Sequence, residues 1–448
     1  MTHARPPLTP EVPLKKVGAT VLIGTTIEWY DFLLFSSAAA LIFGPVFFPS
    51  SNPTTGLLLS LATFAVGYVA RPIGSLVFGH FGDRAGRKQM LVLSLTLMGV
   101  ATFAMGLIPS YESIGIAAPI LLVALRIVQG IGVGGEWGGT MLTALEYAPP
   151  EKRGLYGALP QFGLPAGLAL SSLSMIAVTA LPDDIMYTWG WRIPFLLSGV
   201  LVLIGLYMRV SLEETPVFKQ MQLSNDKVKV PLVEVFKTHP KELLFTTLFG
   251  MGTAAFFYTF LTYSVAYARQ GQYVSSSTVQ IGIFAAAVAM MIGIPYFGIL
   301  GQRINRNTLL LISMLLFTVW IFVIFGTIMT GNSTLVVLVF GLSGALWALQ
   351  YGPSGTYLAE RFPARVRFTA TAIPFHFGTM LGGSIAPLVG TALVARTGTV
   401  LSIEIYVAAF TLVGAAALLA LRKSRTYDDT EYHPGAATDP LTRSTTGA

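Results

Sequence analysis

The chain has 448 residues, 53% of them hydrophobic and 11% charged, with a mean hydropathy of +0.68 and a formal charge of +7. Soluble domains carry about 25% charged residues, so this composition describes an integral membrane protein. Its apolar runs are too long and continuous for the alternating strands of a barrel, which makes the class helical. The absence of cysteine excludes disulfides and thiolate metal sites. No His/carboxylate cluster, phosphate-cradling glycine loop or Ser/His/Asp arrangement supports an enzyme, a metal site or a bound cofactor.

Residues 1–16 are polar and Pro-rich and read as a tail with no cleavable leader. At about 20 apolar residues per span, helices are predicted over 17–43, 56–79, 88–108, 114–145, 154–180 and 191–211. After a polar linker at 212–240 come 241–267, 277–300, 307–330, 334–357, 368–395 and 400–421, then a tail at 422–448. The domain reading is two six-helix bundles, 17–211 and 241–421, with both termini on one side. Of the 28 Lys and Arg, only Arg192, Arg269 and Arg396 fall on the opposite side, and Arg71 and Arg126 lie inside spans. The positive-inside rule then places termini and linker in the cytoplasm. It also makes the basic charge a topology signal, with lipid bilayer as the partner and nucleic acid excluded.

The halves repeat. Gly79-His80-Phe81-Gly82-Asp83-Arg84-Ala85-Gly86-Arg87-Lys88 after span 2 matches Gly298-Ile299-Leu300-Gly301-Gln302-Arg303-Ile304-Asn305-Arg306-Asn307 after span 8 at Gly79/Gly298, Gly82/Gly301, Arg84/Arg303 and Arg87/Arg306. Glu146, Pro149 and Arg153 after span 4 recur as Glu360, Pro363 and Arg367 after span 10. Two repeats related by an axis along the membrane normal are the arrangement of major facilitator transporters.

The 79–88 loop resembles the signature loop of the major facilitator superfamily, and Arg126-Ile127-Val128-Gln129-Gly130-Ile131-Gly132 resembles that superfamily's helix 4 motif. Five further stretches are similar to the metabolite:proton symporter family. They are Glu28-Trp29-Tyr30-Asp31-Phe32, Ala70-Arg71-Pro72-Ile73-Gly74, Gly134-Gly135-Glu136-Trp137-Gly138-Gly139, Trp189-Gly190-Trp191-Arg192-Ile193-Pro194-Phe195 and Leu212-Glu213-Glu214-Thr215-Pro216. The resemblance covers about residues 18–420. It implies an all-α fold of twelve transmembrane helices in two pseudo-symmetric halves, with the substrate site between them. The second half departs from the first: Gln302 and Asn305 replace Asp83 and Gly86, no arginine in span 10 matches Arg126, and span 11 reads Pro374-Phe375-His376-Phe377.

Charges inside spans are the candidates for chemistry, because each costs roughly 2.5–3.5 kcal/mol on insertion scales. Asp31 lies roughly 21 Å along span 1 from the cytoplasm and Arg126 roughly 18 Å along span 4 from the outside, at about 1.5 Å per residue. Equal depth, in a fold whose helices 1 and 4 line the cavity, predicts that they pair. Burial and a nearby guanidinium act on a carboxyl's proton affinity in opposite senses. Protonating Asp31 would free Arg126 for bidentate contact with a substrate carboxylate, and proton and substrate would cross together. A permanent ion pair that orients helices is the alternative. Glu28, on roughly the same face, either relays protons or bonds to a neighbouring helix.

Arg71 and Glu136 read as a gating or packing pair, in a glycine-rich setting that permits close helix packing. Asp83, Arg84 and Arg87 form a positive-inside turn, and the resemblance implies a conformational latch with Asp83 at the N-terminus of helix 11. Tyr30, Gln129, Gln161, Phe162, Tyr258, Trp347, Gln350, Tyr351 and His376 are polar or aromatic residues on helices that line the cavity in this fold. Any of them reads equally as packing or an interfacial anchor. His376 is the one histidine inside a predicted span. The expected function is proton-coupled symport of a small carboxylate into a bacterial-type cell by alternating access across the inner membrane. It would be driven by the proton gradient without a cofactor, with a monomer sufficient. A proline- or betaine-type zwitterion is the alternative substrate. A non-transporting nutrient sensor is a third reading, against which the short soluble stretches count.

Overall fold

The computed structural model describes residues 13–49, 52–85, 87–136, 140, 144, 153–212, 231–362 and 367–424. Among them there is no strand. The first half contains α1 (Leu14–Leu41), α2 (Pro53–Ala85), α3 (Arg87–Leu107), α4 (Ala117–Gly134), α5 (Arg153–Thr179) and α6 (Arg192–Val210). The second contains α7 (Pro240–Gln270), α8 (Ser276–Arg303), α9 (Arg306–Met329), α10 (Ser333–Ala359), α11 (367–397) and α12 (Leu401–Ala420). Among the described residues, eleven helices are long and apolar enough to cross a membrane. At 28 residues α1 is long enough too, and Glu28 and Asp31 hold down its hydropathy. Twelve spans result, as expected.

Helix starts follow ordinary capping chemistry. Side chains of Ser275, Asn305 and Asn332 accept backbone N–H groups at the starts of α8, α9 and α10. Pro240 opens α7, where its missing N–H costs nothing. Gly398, at φ +71°, ends α11 in the left-handed conformation. Helices α7 and α11 each contain a π-helical turn near mid-span, Thr259–Tyr263 and Thr379–Ser384.

Each half is assembled from closely crossing pairs whose contacts leave no room for side chains. A methyl on Gly74 of α2 would run into Ile131 O of α4, and one on Gly167 of α5 would come within 2.6 Å of Tyr30 N of α1. The second half repeats the device, with Gly382 of α11 against Met251 O of α7 and Gly344 of α10 against Ala286 O of α8. Outward-facing Tyr207, Ile292 and Leu203 are 79%, 70% and 67% exposed, as lipid-facing side chains should be.

Two departures from the sequence reading concern the joints. The linker expected to be polar over 212–240 holds a short helix, Pro231–Thr238, whose Val235 packs with Leu243, Phe362 and Ala370. Its apolar residues recur at helical spacing, so it folds once a bundle offers a surface. Arg209, counted above with the cytoplasmic charges, is inside the bundle and 5% exposed.

The halves meet most firmly at the face opposite the start of α1. There Ser36 of α1 bonds Thr262 of α7 at 2.5 Å, Thr179 of α5 meets Ser277 of α8 at 3.2 Å, and Arg269 donates to Tyr187.

Candidate functional site

Glu28 and Asp31 of α1 are 4% and 0% exposed. Ser198 Oγ of α6 donates to Asp31 Oδ1 at 2.5 Å, and Oδ2 has no partner among the described residues. Thr102 of α3 lies beside the same carboxylate, its hydroxyl donating to Met98 O at 2.9 Å.

Arg126 of α4 is fully buried. Its Nη1 donates to Gln129 Oε1, and Gln129 Nε2 donates on to Thr102 Oγ1 at 2.7 Å. Its guanidinium lies over Phe35 and Phe32 of α1, 4.0 and 4.4 Å from their ring centres. The expected ion pair between Asp31 and Arg126 is therefore absent; Arg126 is held by Gln129, whose Nε2 donates to Thr102 beside Asp31. The reason is azimuth. At 3.6 residues per turn, Phe32 and Phe35 face α4 while Asp31 is turned toward α3 and α6. Matching depth says nothing about that rotation.

Arg71 of α2, 2% exposed, lies 3.9 Å from the centre of the same Phe32 ring and 4.5 Å from that of Tyr68. One aromatic side chain thus serves two guanidinium groups. Arg71 Nε, Arg126 Nε and Arg126 Nη2 have no hydrogen-bond partner among the described residues. A buried donor left in this condition costs free energy that an incoming acceptor recovers.

The expected pairing of Arg71 with Glu136 is also corrected. Glu136, fully buried just beyond α4, pairs with Arg209 of α6. Gly24 makes the space, since a methyl there would lie 2.7 Å from Arg209 Nη2. Glu28 lies within electrostatic reach of Glu136, Arg71 and Arg209. Two acids and two guanidinium groups therefore share one buried cluster. Counting Arg209 with the cytoplasmic charges hid it; the signal was its place inside the predicted span 191–211.

The second half faces this cluster with Tyr258, Tyr351 and His376. The ring of Tyr258 on α7 is 5.2 Å from that of Tyr68, and its hydroxyl is within reach of Arg71, Arg126 and Glu28. Tyr351 lies within electrostatic range of Glu28, and His376, 2% exposed, within that of Arg71.

Beside this layer is a cavity of about 70 Å³ between the halves, extending from mid-span toward the face where α1 begins. Trp29 of α1 and Leu164 of α5 close it on one side. Phe249, Phe257 and Tyr258 of α7, Trp347, Gln350 and Tyr351 of α10, and Phe375 of α11 supply most of the rest. Of the residues expected to contact substrate, Tyr258, Trp347, Gln350 and Tyr351 line it. Arg126, Gln129, Gln161, Phe162 and His376 do not, nor does Tyr30, whose hydroxyl donates to Pro194 O at 3.0 Å and meets Ser174 at 3.3 Å. Asp83, Arg84 and Arg87 sit on the backbone where α2 ends and α3 begins, but their side chains lie outside the described residues, as do Trp137, Gly138 and Gly139. In the second half, Arg306 pairs with Glu360, joining the two repeated motifs; the equivalent Glu146 also falls outside the described residues.

Comparison with known proteins agrees with this architecture. The profile described as Major Facilitator Superfamily matches residues 19–375 and 274–443. An inner membrane metabolite transport protein of Escherichia coli, YhjE, is 39% identical over 423 residues, 93% of this chain and 96% of its own. The shikimate transporter of Escherichia coli is 35% identical over 90% of this chain and 93% of its own, and the proline/betaine transporter of Salmonella typhimurium 31% over 92% and 84%. The crystal structure of a D-xylose-proton symporter superposes with a TM-score of 0.72 over 91% of this chain and 97% of its own, at 18% identity, a likeness of fold. The chain belongs to the major facilitator superfamily and passes the membrane many times. It is a transporter, like its relatives, and not an enzyme.

Proposed function

We propose that the protein imports a small carboxylate together with protons across a bacterial inner membrane, by alternating access and as a monomer. The observation that carries this reading is the pair Arg71 and Arg126, two buried guanidinium groups on one phenylalanine ring with N–H donors unused. A carboxylate takes two such donors at once, with charge-assisted strength. Transmembrane ionisable groups of this kind mark substrate and proton pathways.

Asp31 is the proton carrier in this reading. One oxygen is held by Ser198 and the other is free to be protonated, with Thr102 and Gln129 standing between Asp31 and Arg126. No cofactor enters; the gradient supplies the energy. With the Lys/Arg-rich face as cytoplasm, the bonded face is external and the cavity lies on the cytoplasmic side. This arrangement releases substrate inward.

Purified protein in proteoliposomes, given an imposed proton gradient and a panel of labelled carboxylates, tests the proposal. Gradient-dependent accumulation of at least one supports it, and none across the panel overturns it. A zwitterion such as proline or betaine is the second reading, motivated by the named relatives, and belongs in the same panel.

A further inference from the structure

The bonded face hides polar groups that have nothing to bond. Among the described residues, buried Gln161 and Gln350 each leave one amide atom unpartnered, whereas Gln280 of α8 leaves both Oε1 and Nε2. Gln280 is 0% exposed. It follows Ser277 by about one turn of α8, and Ser277 meets Thr179 of α5 at 3.2 Å across the halves. Gln280 therefore lies just inside that contact. Thr259 repeats the pattern on α7. It is fully buried with its hydroxyl unpartnered, and it lies just inside Thr262, which bonds Ser36 of α1.

The direction in which Gln280 points is fixed by the other contacts of α8. Gly282, Ala286 and Gly293 pack on α10, against Phe340, Gly344 and Ala348. Ile281, Ile292 and Ile299 are exposed and mark the lipid side. At about 3.6 residues per turn, the remaining side carries Gln280 with Ile283, Ala287 and Ile294, all buried. That side adjoins the edge that Ser277 presents to α5 and is turned to the space between the halves.

An amide brings two N–H donors and an acceptor oxygen, and buried polar groups are ordinarily bonded. A leucine would fill the same space and leave nothing unmade. In the closed arrangement Gln280 therefore costs free energy, which water or a solute recovers once the outer ends part. Its chemistry suits passage. A neutral amide donates to a carboxylate but holds it less firmly than a guanidinium does, so an anion bonded there is free to move on.

We propose that Gln280 lines the outer half of the substrate pathway and hydrogen-bonds the entering carboxylate on its way to Arg71 and Arg126. It is out of solvent in this structure because the contacts Ser36–Thr262 and Thr179–Ser277 are shut. The assignment rests on the carboxylate reading above, and on its placing of the bonded face outside, and adds an entry residue to it.

The chain has no cysteine, so Gln280→Cys carries a single thiol. A membrane-impermeant cationic methanethiosulfonate, added outside right-side-out vesicles, reads whether position 280 meets external water during the cycle. Ile281→Cys, on the lipid side of the same turn, is the control. Position 280 should be modified about tenfold faster than position 281, since reaction follows access to the thiolate, and modification should block uptake. Gln280→Leu gives a second readout. Removing the unbonded amide should raise the melting temperature in detergent by a few degrees. The apparent KM for the carboxylate that the panel identifies should rise about tenfold, the effect of one lost hydrogen bond to a charged group. A position 280 that stays unmodified, or reacts no faster than position 281, in a protein that transports overturns the proposal. So does a Gln280→Leu variant that melts lower, which would mean that the amide is a bonded part of the packing, or one with an unchanged KM. Modification at position 280 in a protein that accumulates no carboxylate overturns the carboxylate reading and leaves the pathway through Gln280 standing.

Discussion

Arg209 near the end of α6 closes on Glu136 just beyond α4, with both side chains out of solvent. Removing one partner of such a pair strands the other charge, at about 3–5 kcal/mol, whereas replacing both by apolar residues of similar volume is often neutral. Glu136→Gln should therefore lower thermal stability in detergent substantially, and the double change Glu136→Leu with Arg209→Met should recover most of it. Fluorescence-detected unfolding reads both. A double variant as unstable as the single one would mean that the pair itself, and not the stranded charge, holds the helices.

Arg126→Lys tests the anion site. Lysine keeps the charge but loses the planar fork and the fixed donors that a carboxylate meets bidentately, and an ammonium stacks less well over Phe32 and Phe35. Uptake of carboxylates should show an apparent KM at least tenfold higher, with the protein still folded. Arg71→Lys should act in the same direction, since Arg71 shares the Phe32 ring. An unchanged KM in both variants would remove the guanidinium pair from substrate binding.

Asp31→Asn separates binding from coupling. The amide oxygen can still accept from Ser198 Oγ, so the local packing survives, but the group no longer gains and loses a proton. Concentrative uptake driven by a proton gradient should collapse toward background, while exchange of external for internal substrate at equal pH persists. Full concentrative uptake by Asp31→Asn would assign the proton to another group, with Glu28 next in line because it shares a cluster with Arg71, Arg209 and Glu136.

The architecture was legible because span length, the Lys/Arg bias and the repeated motifs are properties of the chain taken one residue after another. The burial of Glu28, Asp31, Arg71, Arg126 and Glu136 was legible too, since an ionisable residue mid-span has nowhere else to be. Their partners were not. Depth along a helix follows from counting, but rotation about its axis depends on which neighbour packs where. Asp31 and Arg126 agree in the first and differ in the second. Arg209 was lost for a related reason: a charge near a span end looks cytoplasmic until Gly24 is seen to open a recess for it. The aromatic wall of the cavity was only half visible, because Trp347, Gln350 and Tyr351 stood out on α10 while Phe257 looked like an ordinary apolar residue.

Ser36 and Thr262 offer a direct test of whether the bonded face must open. Their side-chain oxygens meet at 2.5 Å across the two halves, and the chain has no cysteine of its own, so a double Ser36→Cys, Thr262→Cys variant carries a single reactive pair. A disulfide forms only between residues already close enough for its narrow geometry, and here it would tie α1 to α7 at the outer ends. Alternating access requires these ends to part before substrate can enter from that side. Oxidation of the double variant should therefore reduce uptake more than tenfold, with reduction by dithiothreitol restoring it and the two single variants unaffected by oxidant. Mass spectrometry verifies the cross-link. A cross-linked protein that still transported at the reduced rate would show that the α1–α7 contact stays closed throughout the cycle, and entry would then have to be sought between α5 and α8, where Thr179 meets Ser277.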